Sequence, residues 1–90
     1  MNALTLAQIG LKAVAYQQAA DARRVAFLAF GKACQAWKAE NGHDRIERHT
    51  PEWRTLLEGI PVEQAALWRA MADERNARAR LFRACRKAQT

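Results

Sequence analysis

Between Leu4 and Glu40 the chain contains no proline and only two glycines, Gly10 and Gly31. Alternate steps of three and four residues through that stretch reach Leu6, Ile9, Ala13, Tyr16, Ala20, Arg23, Phe27, Phe30, Cys34 and Trp37, nine of the ten apolar or aromatic. A seam of that period marks a helix that keeps one face against a partner. Arg23 is the exception. It marks where the seam passes from one partner surface to another, or where the helix bends beside "AADARR". Alanine, glutamine and arginine all favour helix there, so the spacing predicts one long helix, with a break after Asp21 as the alternative.

"NGH" at 41–43 supplies an asparagine-glycine stop. "HDRIERH" is polar and reads as a loop or a single helical turn. "TPEW" opens a second helix, with Thr50 as N-cap, Pro51 at the first helical position and Glu52 beside the positive end of the helix dipole. This short helix turns Trp53, Leu56 and Leu57 inward and stops at Gly59. Pro61 then opens a third helix that runs to about Lys87. Strand-type alternation and β-branched runs are absent. The expected fold is all-α: two long helices joined through a short one, as an antiparallel helical hairpin or three-helix domain.

Ninety residues make a single helical domain, 1–90. A chain of this length buries only about 60–65% of the surface its unfolded form exposes. Twenty of its apolar residues are alanines, which add little area each. Oligomerisation is a natural supplement to so small a core. Leu4, Leu6, Ile9, Leu11 and Val14 cover more than one face of the first helix. That helix is on the order of 55 Å long and the third nearer 40 Å. The first few turns are therefore expected to overhang with apolar surface exposed, making residues 1–20 an arm that pairs two copies into a homodimer. The alternative is a bend near Asp21 that folds the arm back onto its own core.

The formal charge of +6 is concentrated. Residues 1–68 carry eight basic and seven acidic side chains; residues 69–90 carry seven basic and two acidic. A concentrated field attracts a polyanion more effectively than a uniformly basic surface. With Arg75 set at zero on a helical wheel, Trp68, Met71, Phe82, Cys85, Leu67 and Ala79 fall between about 280° and 40°. This arc is the expected buried stripe. Arg69, Arg80, Arg83 and Lys87 form a basic strip on one flank. Arg75, Arg78 and Arg86 point within or beside the apolar arc. Either their stems lie on the core while the guanidinium groups reach water, or the region is an interface where they meet carboxylates or phosphates.

Nucleic acid is the simplest polyanion for such a strip, held by salt-sensitive phosphate contacts. The competing expectation is a protein-protein module whose arginines engage an acidic protein surface, such as a phage- or plasmid-encoded modulator or inhibitor of a host complex. A third is a structural helical dimer whose charge serves solubility. Base readout has no carrier: there is no glycine-rich nucleotide loop, exposed stacking platform or zinc-finger spacing.

Other chemistry finds little support. His43 and Glu47 lie four apart in a polar segment with Asp44 and His49, but no paired cysteine or histidine spacing fixes a tetrahedral metal site. Cys34 and Cys85 both lie on apolar helical positions and read as reduced, buried thiols. No enzyme activity, cofactor or metal is expected. Residues 1–20 lack a secretory pattern, and no apolar run approaches ~18 residues. The expectation is a cytoplasmic protein without a membrane span.

From Val25 to Ala88 the order of landmarks resembles an HMG box. "FLAFGKACQAWKAENG" is similar to that family's first helix, with paired aromatics and a basic-acidic end. "EWRTLLEGIPVEQAALWRAMADERNARARLFR" is similar to its central tryptophan, a leucine three residues on, and an aromatic-x-x-x-alanine start to a basic helix. The resemblance implies a junction core of Phe27, Phe30, Trp53 and Trp68. It also implies a third helix that cradles the minor groove of bent DNA, which places DNA ahead of RNA as partner. The segment before Trp53 is shorter than the family's second helix, and the Trp53–Trp68 connection is longer. A helix replaces the extended basic arm, and no intercalating wedge is assigned.

Overall fold

The first helix, α1, runs unbroken through Ala3–Glu40 in the computed structural model, which describes residues 2–89. Asn2 caps it, its Oδ1 accepting from the Thr5 N–H at 2.8 Å and from the Thr5 hydroxyl at 2.9 Å. No break occurs at Asp21. Its carboxylate is held on the helix surface by Gln17 Nε2 at 3.2 Å and by Arg24 three residues on, so it does not compete for the backbone.

The far end of α1 closes as a Schellman turn. Gly42 takes a positive φ of 71°, and the His43 N–H donates to Lys38 O at 2.9 Å. The His43 ring stacks on Trp37, centroids 5.7 Å apart. Residues 43–50 contain no helix, and Ile46 packs on the core from within them. The segment ends at Thr50, whose Oγ accepts from the Trp53 N–H at 3.2 Å. There α2 begins, spanning Pro51–Gly59. Ile60 connects it to α3, Pro61–Ala88, with Pro61 at the first helical position.

The molecule is all-α, with α1 and α3 packed antiparallel along their length and α2 between them at one end. It is a rod. Its extents are 60 × 20 × 17 Å and its radius of gyration is 18.5 Å, against about 12 Å for a compact chain of this length.

The best-buried core lies at the α2 end. Cys34, Leu56 and Ile60 are enclosed there by Phe30, Ala33, Trp37, Ile46, Trp53 and Leu57. Phe30 and Trp53 meet edge to face, centroids 6.5 Å apart. The junction core implied by the HMG-box resemblance therefore holds Phe30 and Trp53. It does not hold Phe27 or Trp68, which are 53% and 62% exposed.

Along the rod the helices meet through small residues. Leu67, Ala70 and Ala77 of α3 are buried, and Glu74, Leu81, Ala84 and Ala88 are half-buried on the same line. Ile9, Tyr16, Ala19, Arg23, Ala26, Phe30, Ala33 and Trp37 answer them from α1. The expected stripe on α3 is thus displaced: Trp68, Met71 and Phe82 are exposed, and the alanine line about 110° away faces inward. The cause is charge. Burying the Trp68–Met71–Phe82 arc would carry Arg75 and Arg78 toward the core, where each unmatched guanidinium costs several kcal/mol of desolvation. From Leu67 to Ala88 the alanine line includes one charged residue, Glu74, and it is matched by Arg23.

That match also bears on the arm. With Arg23 level with Glu74, Ile9 lies about level with Ala88, so α1 overhangs α3 by only about six residues, or ~9 Å. Ile9 is half-buried, whereas Leu4, Leu6, Leu11 and Val14 are exposed. No long free arm exists among the described residues.

Candidate polyanion-binding site

The antiparallel arrangement brings the start of α1 beside the end of α3, and an open cleft of about 990 Å³ lies between them. Lys12 enters it from α1, and Arg80, Arg83 and Lys87 enter from α3. Asn2, Thr5 and Gln8 supply neutral polar groups, and among the described residues no carboxylate side chain lines the cleft.

Lys12 is not among the site residues expected from the sequence, because it falls on neither the charged strip nor the expected apolar seam. Its signal is the inner line itself. Steps of three and four from Ile9 give Lys12, Tyr16, Ala19, Arg23 and Ala26, so the lysine belongs to the face turned toward α3.

A second, shallower groove of about 400 Å³ lies along α3 around Phe82, bounded by Arg75, Arg78, Arg83 and Arg86. The Arg78 guanidinium carbon is 4.9 Å from the Phe82 ring centroid, a cation–π contact that leaves its N–H groups free to turn outward. Arg83 borders both recesses. Six of the seven expected site residues therefore form one continuous patch: Arg75, Arg78, Arg80, Arg83, Arg86 and Lys87. Arg69 stands apart, eleven residues before Arg80 and about 16 Å along the axis. It is exposed and lines neither recess.

Among the described residues no carboxylate pairs with an arginine of this patch. The ion pairs among the described residues join Arg23 to Glu74 and Arg24 to Asp21. Arg75, Arg80, Arg83 and Arg86 take part in neither. Arg86 and Lys87 occupy the last turn of α3, where the negative end of the helix dipole favours cations. That explains two charges on structural grounds and leaves the other four without such a reason.

No family model, curated protein or solved structure matches the chain. Function therefore has to be read from the site alone.

The remaining candidate groups are dispersed. Among the described residues no three histidine, cysteine or acidic side chains come together where a metal ion could be held. His43 is engaged with Trp37, and His49 is exposed with a φ of 65°. Cys34 is buried in the α2-end core, where loss of water pushes its thiol pKa up, partly offset by the positive charge of Lys38. A raised pKa keeps the thiol protonated and unreactive. No helix among the described residues is long and apolar enough to cross a membrane.

Proposed function

We propose that this chain is a non-enzymatic nucleic-acid-binding protein that grips the phosphate backbone with the C-terminal half of α3. The observation that carries the reading is the cleft in which Lys12 faces Arg80, Arg83 and Lys87, with no carboxylate side chain among its described lining residues. It continues around the helix into the arginines about Phe82. Arginine forks suit phosphate oxygens, and a curved row of them follows a backbone without reading bases. The proposal rests on this charge arrangement rather than on the HMG-box resemblance, because Phe27 and Trp68 lie outside the core that the resemblance implies.

The test is binding to random-sequence duplex DNA and RNA by fluorescence anisotropy across a salt series. Four to six phosphate contacts give a log-affinity against log-salt slope of about −4 to −5. The combined variant Arg80→Glu, Arg83→Glu, Lys87→Glu abolishes that binding while helical content by circular dichroism is retained. Full binding by this variant rules out the cleft.

One observation favours a second reading, a module that docks on an acidic protein surface. Trp68, Met71 and Phe82 are exposed on one side of α3, with Arg75 and Arg78 between them. Aromatics, methionine and arginine are the residue types enriched at protein interfaces. Salt-insensitivity toward nucleic acid, together with a complex that Trp68→Ala disrupts, marks this alternative.

A further inference from the structure

The side of α1 turned away from α3 carries a second apolar line. Leu4, Leu11, Val14, Val25 and Leu28 are each between 54 and 73% exposed. They fall on two adjacent seven-residue rows, about 140° around the helix from the row that meets α3. A helix that is apolar on two separate faces has partners on both. In this structure α3 covers only one.

The pattern of the outer line selects the missing partner. Its steps run Leu4, Ala7, Leu11, Val14, Gln18, Asp21, Val25, Leu28, Lys32 and Gln35. The central break is Gln18 with Asp21, and the two large apolar residues next to it on either side mirror one another. Turned end for end about a two-fold axis between residues 19 and 20, the line fits itself. Val14 meets Val25 of a second copy and Leu11 meets Leu28. Gln18 meets Asp21, while Ala7 and Leu4 lie under the stems of Lys32 and Gln35.

We infer that two copies of this chain pair through the outer face of α1 as an antiparallel, isologous dimer. Parallel pairing is disfavoured because it would bury Asp21 against its own counterpart. In the antiparallel register each Asp21 carboxylate meets a Gln18 amide donor instead, and it already has Gln17 and Arg24 on its own helix. A self-matching patch of this kind is what two-fold symmetry requires. Each of the five large side chains offers on the order of 100 Å². Contributed twice, they bring about 1,000 Å², the threshold that separates a biological interface from a lattice contact, before the flanking Ala7, Gln18, Lys32 and Gln35 are counted. Of the arm residues expected from sequence, Leu4, Leu11 and Val14 belong to this face. Ile9 faces the cleft instead, and Leu6 lies on the flank. The inference is independent of the nucleic-acid reading.

The test is a charge-rescue experiment in analytical ultracentrifugation at tens of micromolar. Wild type sediments as a dimer. Leu11→Glu and Leu28→Lys, both at exposed positions, each sediment as a monomer with helical content unchanged. A one-to-one mixture of the two variants regains the dimer. The carboxylate introduced by the first substitution then faces the ammonium introduced by the second, and the opposite contact is leucine on leucine. A monomeric wild type overturns the inference. So does a wild-type dimer that Leu11→Glu leaves intact, or a pair of monomeric variants that fail to rescue each other.

Discussion

Arg23 of α1 donates from Nε to Oε2 of Glu74 on α3 at 2.5 Å, with the two side chains only 34% and 25% exposed. Each residue is charged between apolar or small neighbours on its inner line, Ala19 and Ala26 beside Arg23, Ala70 and Ala77 beside Glu74, and the two meet fifty-one positions apart. The pair therefore fixes the sliding register of two helices whose alanine surfaces alone would allow several. Removing one partner leaves the other half-buried and unmatched, a cost of about 1–3 kcal/mol after allowance for its contact with water. Glu74→Gln and Arg23→Met each lower the urea midpoint. Arg23→Met combined with Glu74→Leu recovers most of the loss, because an apolar pair carries no desolvation cost. Equal stability of both single variants and wild type in urea titrations contradicts this assignment.

Gly59 closes α2 against Trp37. A Cβ there would lie 2.7 Å from Cδ1 of the indole and closer still to Nε1. The obstacle is a packed ring rather than the free end of a flexible chain. Gly59→Ala is expected to destabilise the fold by about 1–3 kcal/mol, with a shift in Trp37 fluorescence as its environment opens. Gly31→Ala is the control: nothing lies within 4 Å of its added methyl, and alanine is the better helix former by about 1 kcal/mol.

Burial holds the Cys34 thiol pKa above its ordinary value of 9.0. The folded state therefore keeps its proton when the unfolded state has begun to lose it. The stabilisation is fully present below the unfolded thiol value and disappears as pH rises through the folded one. Denaturant midpoints of wild type fall as pH rises past the ordinary thiol value of 9.0, and the part of that fall due to Cys34 is missing in Cys34→Ala. Iodoacetamide labels the half-buried Cys85 first, and Cys34 reacts at the rate of local opening.

Helix boundaries are legible in the sequence because they rest on local chemistry. The proline positions, the Thr50 cap and the Asn-Gly stop act within one turn of themselves, and all three work as their residue types require. The facing surface of α3 is harder to read, because its large apolar side chains point to a different core from the one that forms. Three arginines share that arc, and the penalty for burying them is a property of the whole arc rather than of Trp68 or Phe82. The seven-residue spacing of Ala70, Ala77 and Ala84 holds the better signal. So do the complementary exceptions Arg23 and Glu74, which only pair once the hairpin is assumed. Lys12 escapes sequence reading for the same reason, since its role depends on which residues stand across from it. The basic cluster itself is plain in the sequence. Its division into a cleft and a groove is not.

Lys12 distinguishes a binding cleft from a merely basic helix. It lies sixty-eight residues before Arg80 in the chain yet lines the same recess. If nucleic acid lies in the cleft, Lys12→Ala weakens binding for all sequences alike and makes the salt slope shallower by about one. If nucleic acid contacts only the outer arginines around Phe82, Lys12→Ala leaves both quantities unchanged, whereas Arg75→Ala and Arg78→Ala reduce them. Trp68→Ala is neutral in either case, because no phosphate-directed cation depends on that ring. An acidic protein partner reverses this order, since an exposed tryptophan between arginines is then the expected hot spot and its loss costs about 2 kcal/mol or more. Anisotropy titrations on these variants at two salt concentrations separate the three outcomes, and a neutral Lys12→Ala removes the cleft from the binding surface.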